Sequence, residues 1–162
     1  MVVPNTAGSA AAVIVQKLQD DQAEAIVLVR SDGSVLGPGV VLSADGWIVV
    51  SALVVGDNRS LQIETKYNKT YPVDAVVPDP VSGLVYLHVP STGLRVADFR
   101  DSSLMLGESV IAYSRTAVGD SVAFANVSAE TIIDRPLPNQ LGAPLYDFDL
   151  AVVGFVTDTG AI

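Results

Sequence analysis

An all-β fold is predicted by three features of the sequence. Short β-branched and apolar runs recur from Ala25 to the C-terminus, turn residues punctuate them at close intervals, and there are no heptads, low-complexity tracts or fixed-period repeats. Many short strands at this spacing indicate a barrel or sandwich.

Residues 1–8 are small and polar, which predicts a frayed start. Ser9 is placed to cap a short helix over 10–19, with Leu18 and the Val13–Val15 run packing inward. Asp20-Asp-Gln-Ala-Glu24 is expected to break it, so residues 1–24 read as an N-terminal segment ahead of a β domain over 25–162. Ala25–Val29 opens the strands, and Asp32-Gly33 carries the signature of a tight hairpin. Val40–Leu42 and Trp47–Val50 flank a second Asp-Gly at Asp45-Gly46. Leu61–Thr65 alternates strictly, followed by Val73–Val77, Leu84–Val89, Ser109–Tyr113, Ser121–Val127 and Leu150–Thr157. Gly56-Asp-Asn58, Asn68-Lys69, Pro78-Asp-Pro80, Arg100-Asp-Ser102 and Gly119-Asp120 supply the turns between them. Asp147 and Asp149 alternate within Leu145–Leu150 and read as a turn rather than a cation site.

The composition narrows the functional classes. A chain of 162 residues suits one domain, and a double barrel also fits this length. With 49% hydrophobic residues and a mean hydropathy of +0.43, a true core is expected and a disordered tail is excluded. Charged residues make up only 17%, which suggests partner surfaces or a domain of a longer protein. Nine basic against eighteen acidic residues give a net charge of −9, which repels phosphate backbones and argues against nucleic acid. Basic peptides remain compatible with it, beside the plainer role of solubility. With no Cys and a single His, His88, no thiolate or imidazole metal site is expected, and no cofactor is implied. Alternation places His88 opposite Val85, Leu87 and Val89, toward solvent. No apolar run reaches membrane-spanning length, and Ala10–Val15 lacks the basic flank of a signal peptide. Three Asn-Xaa-Ser/Thr triplets, at Asn58, Asn68 and Asn126, are short enough to arise by chance.

Several segments, in order, resemble the HtrA/Deg branch of trypsin-like serine proteases. Ser43-Ala-Asp-Gly-Trp-Ile48 is similar to a turn and strand of that family, and Asp79-Pro80 to the dipeptide ahead of its catalytic Asp. Phe99-Arg-Asp-Ser-Ser-Leu-Met-Leu-Gly-Glu-Ser-Val-Ile-Ala112 resembles its Gly-Asp-Ser…Gly-Glu-Xaa-Val-Ile-Ala stretch, although Tyr113 stands where a Gly-containing turn is usual. Asn139-Gln-Leu-Gly-Ala-Pro-Leu145 resembles Gly-Asn-Ser-Gly-Gly-Pro-Leu, and Val152-Val-Gly-Phe-Val156 follows at the usual interval. The resemblance implies two antiparallel six-stranded β-barrels, the first over about 25–90 and the second over about 96–162, with the active site between them.

The same alignment implies an inactive protease. Leu53 falls at the His position, Gly83 at the Asp position and Leu141 at the Ser position. A triad needs a nucleophile, a base and a carboxylate that holds the imidazole tautomer, and none of these side chains can serve. The oxyanion loop aligns on Asn139, Gln140 and Leu141; with Asn139 in place of Gly and prolines at 136 and 138, an altered hole is expected. Either Leu53 and Leu141 fill the cleft, or a peptide groove is retained. Its edge would be Val156, Thr157, Asp158, Thr159 and Gly160, which align with the family's substrate-pairing strand. The implied role is a protein- or peptide-binding scaffold, working outside the cytoplasm as its relatives do. Two alternatives stay open: a hydrolase with displaced chemistry at Ser51, Ser82 or His88, and a ligand- or metal-sensing domain on the same scaffold. Residues 1–24 lack the aromatics through which family members trimerise, so the oligomeric state is open, and a PDZ domain commonly follows in those relatives.

Overall fold

The structure, a computed structural model, describes residues 6–116, 119–128, 141–157 and 160–161, with side chains for all of these except 6–11, 116, 119, 160 and 161. It is mostly β, with one N-terminal helix, α1 (Thr6–Gln22), followed by a 3-10 turn at Ala23–Ala25. The strands are β1 (Ile26–Ser31), β2 (Ser34–Val41), β3 (Trp47–Ser51), β4 (Leu61–Glu64), β5 (Thr70–Pro72), β6 (Ala75–Asp79), β7 (Leu84–His88), β8 (Ser109–Thr116), β9 (Gly119–Asn126), β10 (Pro144–Tyr146), β11 (Val152–Thr157) and β12 (Gly160–Ala161). A one-turn helix, α2 (Ala52–Val55), follows β3.

Two antiparallel sheets result, of seven and five described strands. The first runs β5-β4-β1-β2-β3-β7-β6 and the second β12-β11-β10-β8-β9. The first sheet curls strongly. Its edge strands β5 and β6 are separated in the chain only by Val73 and Asp74. Val73 N–H donates to Leu61 O on the β4 side (3.1 Å), and Asp74 N–H donates to His88 O on the β7 side (2.9 Å). Two residues therefore step from one end of the sheet to the other.

The burial pattern follows from strand alternation. Val27 and Val29 of β1 face the inside of the curl with Val41, Ile48, Val50, Ile63, Val85 and Leu87. Ile26, Val40 and Val49 face the other way and meet Leu18 of α1 and Ile111, Tyr113, Tyr146 and Phe155 of the second sheet. Val110, Ala112, Leu145 and Val156 form a third cluster behind the second sheet. Strands buried on both faces read as continuous apolar runs, and this is why so little of the chain is charged.

Some expectations change. The helix is longer than predicted: Asp20 and Asp21 continue it, Gln16 Nε2 donates to Asp20 Oδ1 (2.9 Å), and Ser9 lies inside it where a cap was expected. Leu18 packs inward as expected, while Val13 is exposed. α1 shares a core with both sheets, so it is part of one packed body with the described strands. The expected start at Ala25 moves to Ile26, and Thr70–Pro72 and Pro144–Tyr146 are strands not anticipated from their three-residue length. The expected hairpin at Asp32-Gly33 is present, with both residues at positive φ (50° and 81°), as a two-residue primed turn requires. Residues 129–140, which carry part of the expected second barrel, lie outside the described residues. No helix among the described residues is long and apolar enough to cross a membrane.

Candidate functional site at the junction of the two sheets

β3 delivers the chain into α2 at the centre of the site. Ser51 caps this turn in extended conformation, its Oγ accepting from Leu53 N–H (3.2 Å). Gly83 lies beside it, its carbonyl accepting from Ala52 N–H (3.0 Å). The preceding turn is fixed by Asp79, whose carboxylate accepts from Ser82 Oγ (2.8 Å) and Val81 N–H (3.1 Å). The Ser82 hydroxyl, with these backbone donors, holds the Asp79 carboxyl below its ordinary range.

The second sheet supplies the third wall. Gly142, at φ +80°, donates its N–H to Val156 O (2.8 Å), and a Cβ there would meet Val54 Cγ2 at 2.4 Å. That contact seats the Leu141–Ala143 loop on α2. The structure thus brings the surroundings of Leu53, Gly83 and Leu141 together from both sheets. The side chains of Leu53 and Leu141 are 52% and 41% exposed, so neither is packed away as buried core. Asn139 and Gln140 lie outside the described residues, as do Asp158 and Thr159.

The proposed peptide edge is differently placed from expectation. Val156 pairs with Ala161 and Thr157 with Gly160, so β12 occupies that flank of β11 as its own hairpin partner. On the opposite flank Val156 N–H donates to Ala143 O (2.9 Å). Val156 is buried, and an added strand would have to displace β12 or pair outside it.

The displaced-chemistry candidates do not converge. Ser51 is 1% exposed and engaged as the α2 cap. Ser82 is bound to Asp79. His88 pairs with Trp47 at the far end of the β3–β7 ladder from Ser51, about 13 Å along an extended strand. It lies at the surface but is bonded on both ring nitrogens: Nδ1 to Asp74 Oδ1 (2.7 Å) and Nε2 to Asp45 O (3.0 Å), with its ring edge-on to Trp47. Two acceptors favour the doubly protonated ring, and the Asp74 carboxylate raises the His88 pKa against a smaller opposing effect of desolvation. Sequence reading missed this pair because β6 and β7 bring Asp74 and His88 together only through their register. It also missed Arg100, which reaches Glu108, Asp147 Oδ2 (3.4 Å) and Ser102 Oγ (2.9 Å) and ties the inter-sheet segment to the Asp147 turn. Asp147 is a turn residue, its Oδ1 accepting from the N–H groups of Asp149 (3.0 Å) and Ala151 (2.9 Å). Among the described residues no cluster of three or more His, Cys, Asp or Glu gathers that could hold a metal.

The described body is β-rich and built on two sheets, with the candidate site where they meet. Over 121 residues, 72% of its length, the chain is 26% identical to a "Probable periplasmic serine endoprotease DegP-like" of Pseudomonas putida (strain GB-1). It spans 24% of that relative's length. No protein-family model matches the chain. The likeness and the β-rich fold together support a trypsin-like, HtrA-type relationship.

Proposed function

We propose that this is a catalytically inactive trypsin-like domain of HtrA/Deg type that binds a protein or peptide partner. In this reading β5 and β6 are one bent strand interrupted at Val73–Asp74, so the first sheet is a six-stranded barrel, and the second sheet belongs to its counterpart. Leu53, Gly83 and Leu141 stand at the His, Asp and Ser positions, and none can attack a carbonyl or carry a proton. The observation that carries the reading is the convergence at α2. The neighbourhoods of the three positions meet there, and Leu53 and Leu141 are both half exposed. An open apolar site suits capture of an unfolded segment better than chemistry. The periplasmic relative supports a location outside the cytoplasm.

The test has two arms. Incubation with casein and with a fluorophosphonate probe is expected to give neither cleavage nor labelling, and labelling at Ser51 or Ser82 would establish the displaced-hydrolase alternative instead. Titration of the isotope-labelled domain with reduced, unfolded casein is expected to shift the amides of Leu53, Leu141 and Gly142. Shifts confined to other surfaces, or none, would refute binding at this junction.

A further inference from the structure

A second concavity lies away from the α2 junction, walled by the β4–β5 turn, the linker between the sheets and the 3-10 turn after α1. Its volume of about 190 Å³ is several times the roughly 30 Å³ share of one water molecule. Its charge runs against that of the chain. The protein carries a net −9, yet Lys66, Lys69 and Arg95, three of its nine basic residues, line this one pocket. Among the described residues none of the three is in an ion pair, whereas Arg30, Arg100 and Arg115 are each matched to a carboxylate. The single acid in the wall, Glu24, accepts a hydrogen bond from Tyr67 Oη (2.6 Å).

The walls are held in place. Thr65 N–H donates to Lys69 O (2.9 Å) and Asn68 N–H to Thr65 O (3.0 Å), closing the turn that carries both lysines. Arg95 sits between two pinned points of the linker, Gly93 N–H to Ala44 O and Ala97 N–H to Val41 O (3.0 Å each).

We propose that this pocket binds a small oxyanion of the phosphate or carboxylate class, held by Lys66, Lys69 and Arg95. The chemistry is that of charge-assisted hydrogen bonds from separate loops converging on one acceptor-rich group. The proposal is independent of the protease likeness, because none of its residues belongs to the α2 junction.

Inorganic phosphate and acetate are the probes, titrated separately into the isotope-labelled protein at ionic strength held constant with sodium chloride. At least one should give saturable amide shifts confined to Thr65–Lys69 and Gly93–Arg95. Saturation by phosphate alone, or by acetate alone, identifies which oxyanion geometry the pocket prefers. The exposed-residue variant Lys66→Ala/Lys69→Ala/Arg95→Ala is expected to weaken binding at least about tenfold. Shifts that fail to saturate or that chloride reproduces, or unchanged affinity in the triple variant, would overturn the proposal.

Discussion

At Gly142 a single methyl group decides whether the two sheets can meet. The residue combines φ +80° with a Val54 methyl 2.4 Å from any added Cβ, so Gly142→Ala meets both backbone strain and overpacking. The expected loss is about 2–4 kcal/mol in chemical denaturation, partly recovered by Val54→Ala, which removes the obstructing methyls. A loss unchanged in the double variant would place the whole cost in the backbone. His88 gives a residue-scale prediction of opposite origin. The Asp74 carboxylate raises its folded pKa, so its contribution to stability is fully present below the ordinary His value near ~6.5 and is lost as pH rises through the raised folded value. The native protein should therefore lose some denaturant resistance on going from mildly acidic to mildly alkaline pH. His88→Gln should flatten that part of the profile, and an NMR titration should put the His88 midpoint above that of a free imidazole side chain. An unshifted midpoint would remove the ion pair from the account.

Among the elements, α1 is the one whose importance the sequence understated. Leu18 is fully buried in the cluster that both sheets share, and Arg115 of β8 reaches back to Ala23 O (3.2 Å) and Ile26 O (3.0 Å). Leu18→Ala is expected to cost about 2–5 kcal/mol and to leave unfolding a single transition, because the cavity opens in the common core. A separate early transition would show that the helix melts on its own. β1, β3 and β7 were legible because Ile26–Val29, Trp47–Val50 and Leu84–Val89 are β-branched or alternating runs closed by turn residues. β5 and β10 were not, since each has three residues and contains a proline that local propensity assigns to a turn. α2 escaped for the converse reason. Its Ala-Leu-Val-Val sequence is ordinary strand material, and it coils because Ser51 caps one end and Gly56 closes the other.

For the whole molecule, the candidate site was legible as an alignment and illegible as a surface. Motif order singled out Leu53, Gly83 and Leu141, and the fold assembles their surroundings. Whether the leucines would be covered depended on how two sheets meet, which no local pattern encodes. The anion pocket was invisible for the same reason, since Arg95 reaches the Lys66–Lys69 turn only through the path of the linker. A prediction belongs to this scale. The triple variant Leu53→His/Gly83→Asp/Leu141→Ser is expected not to cleave casein, because position 83 holds φ +73° and an Asp there is strained before it can orient any imidazole. Measurable cleavage would mean that the rest of the protease machinery is intact. The two-residue step at Val73–Asp74 also bears on the order of events during synthesis. Every strand of the first sheet lies between Ile26 and His88, so the curl can close on itself while Ser109 and all that follows are still being made. Until β8 arrives, the half of the shared core built from Ile26, Val40 and Val49 has only α1 to cover it. On the emerging chain, then, the N-terminal helix acts as a temporary lining for a surface that the second sheet later claims.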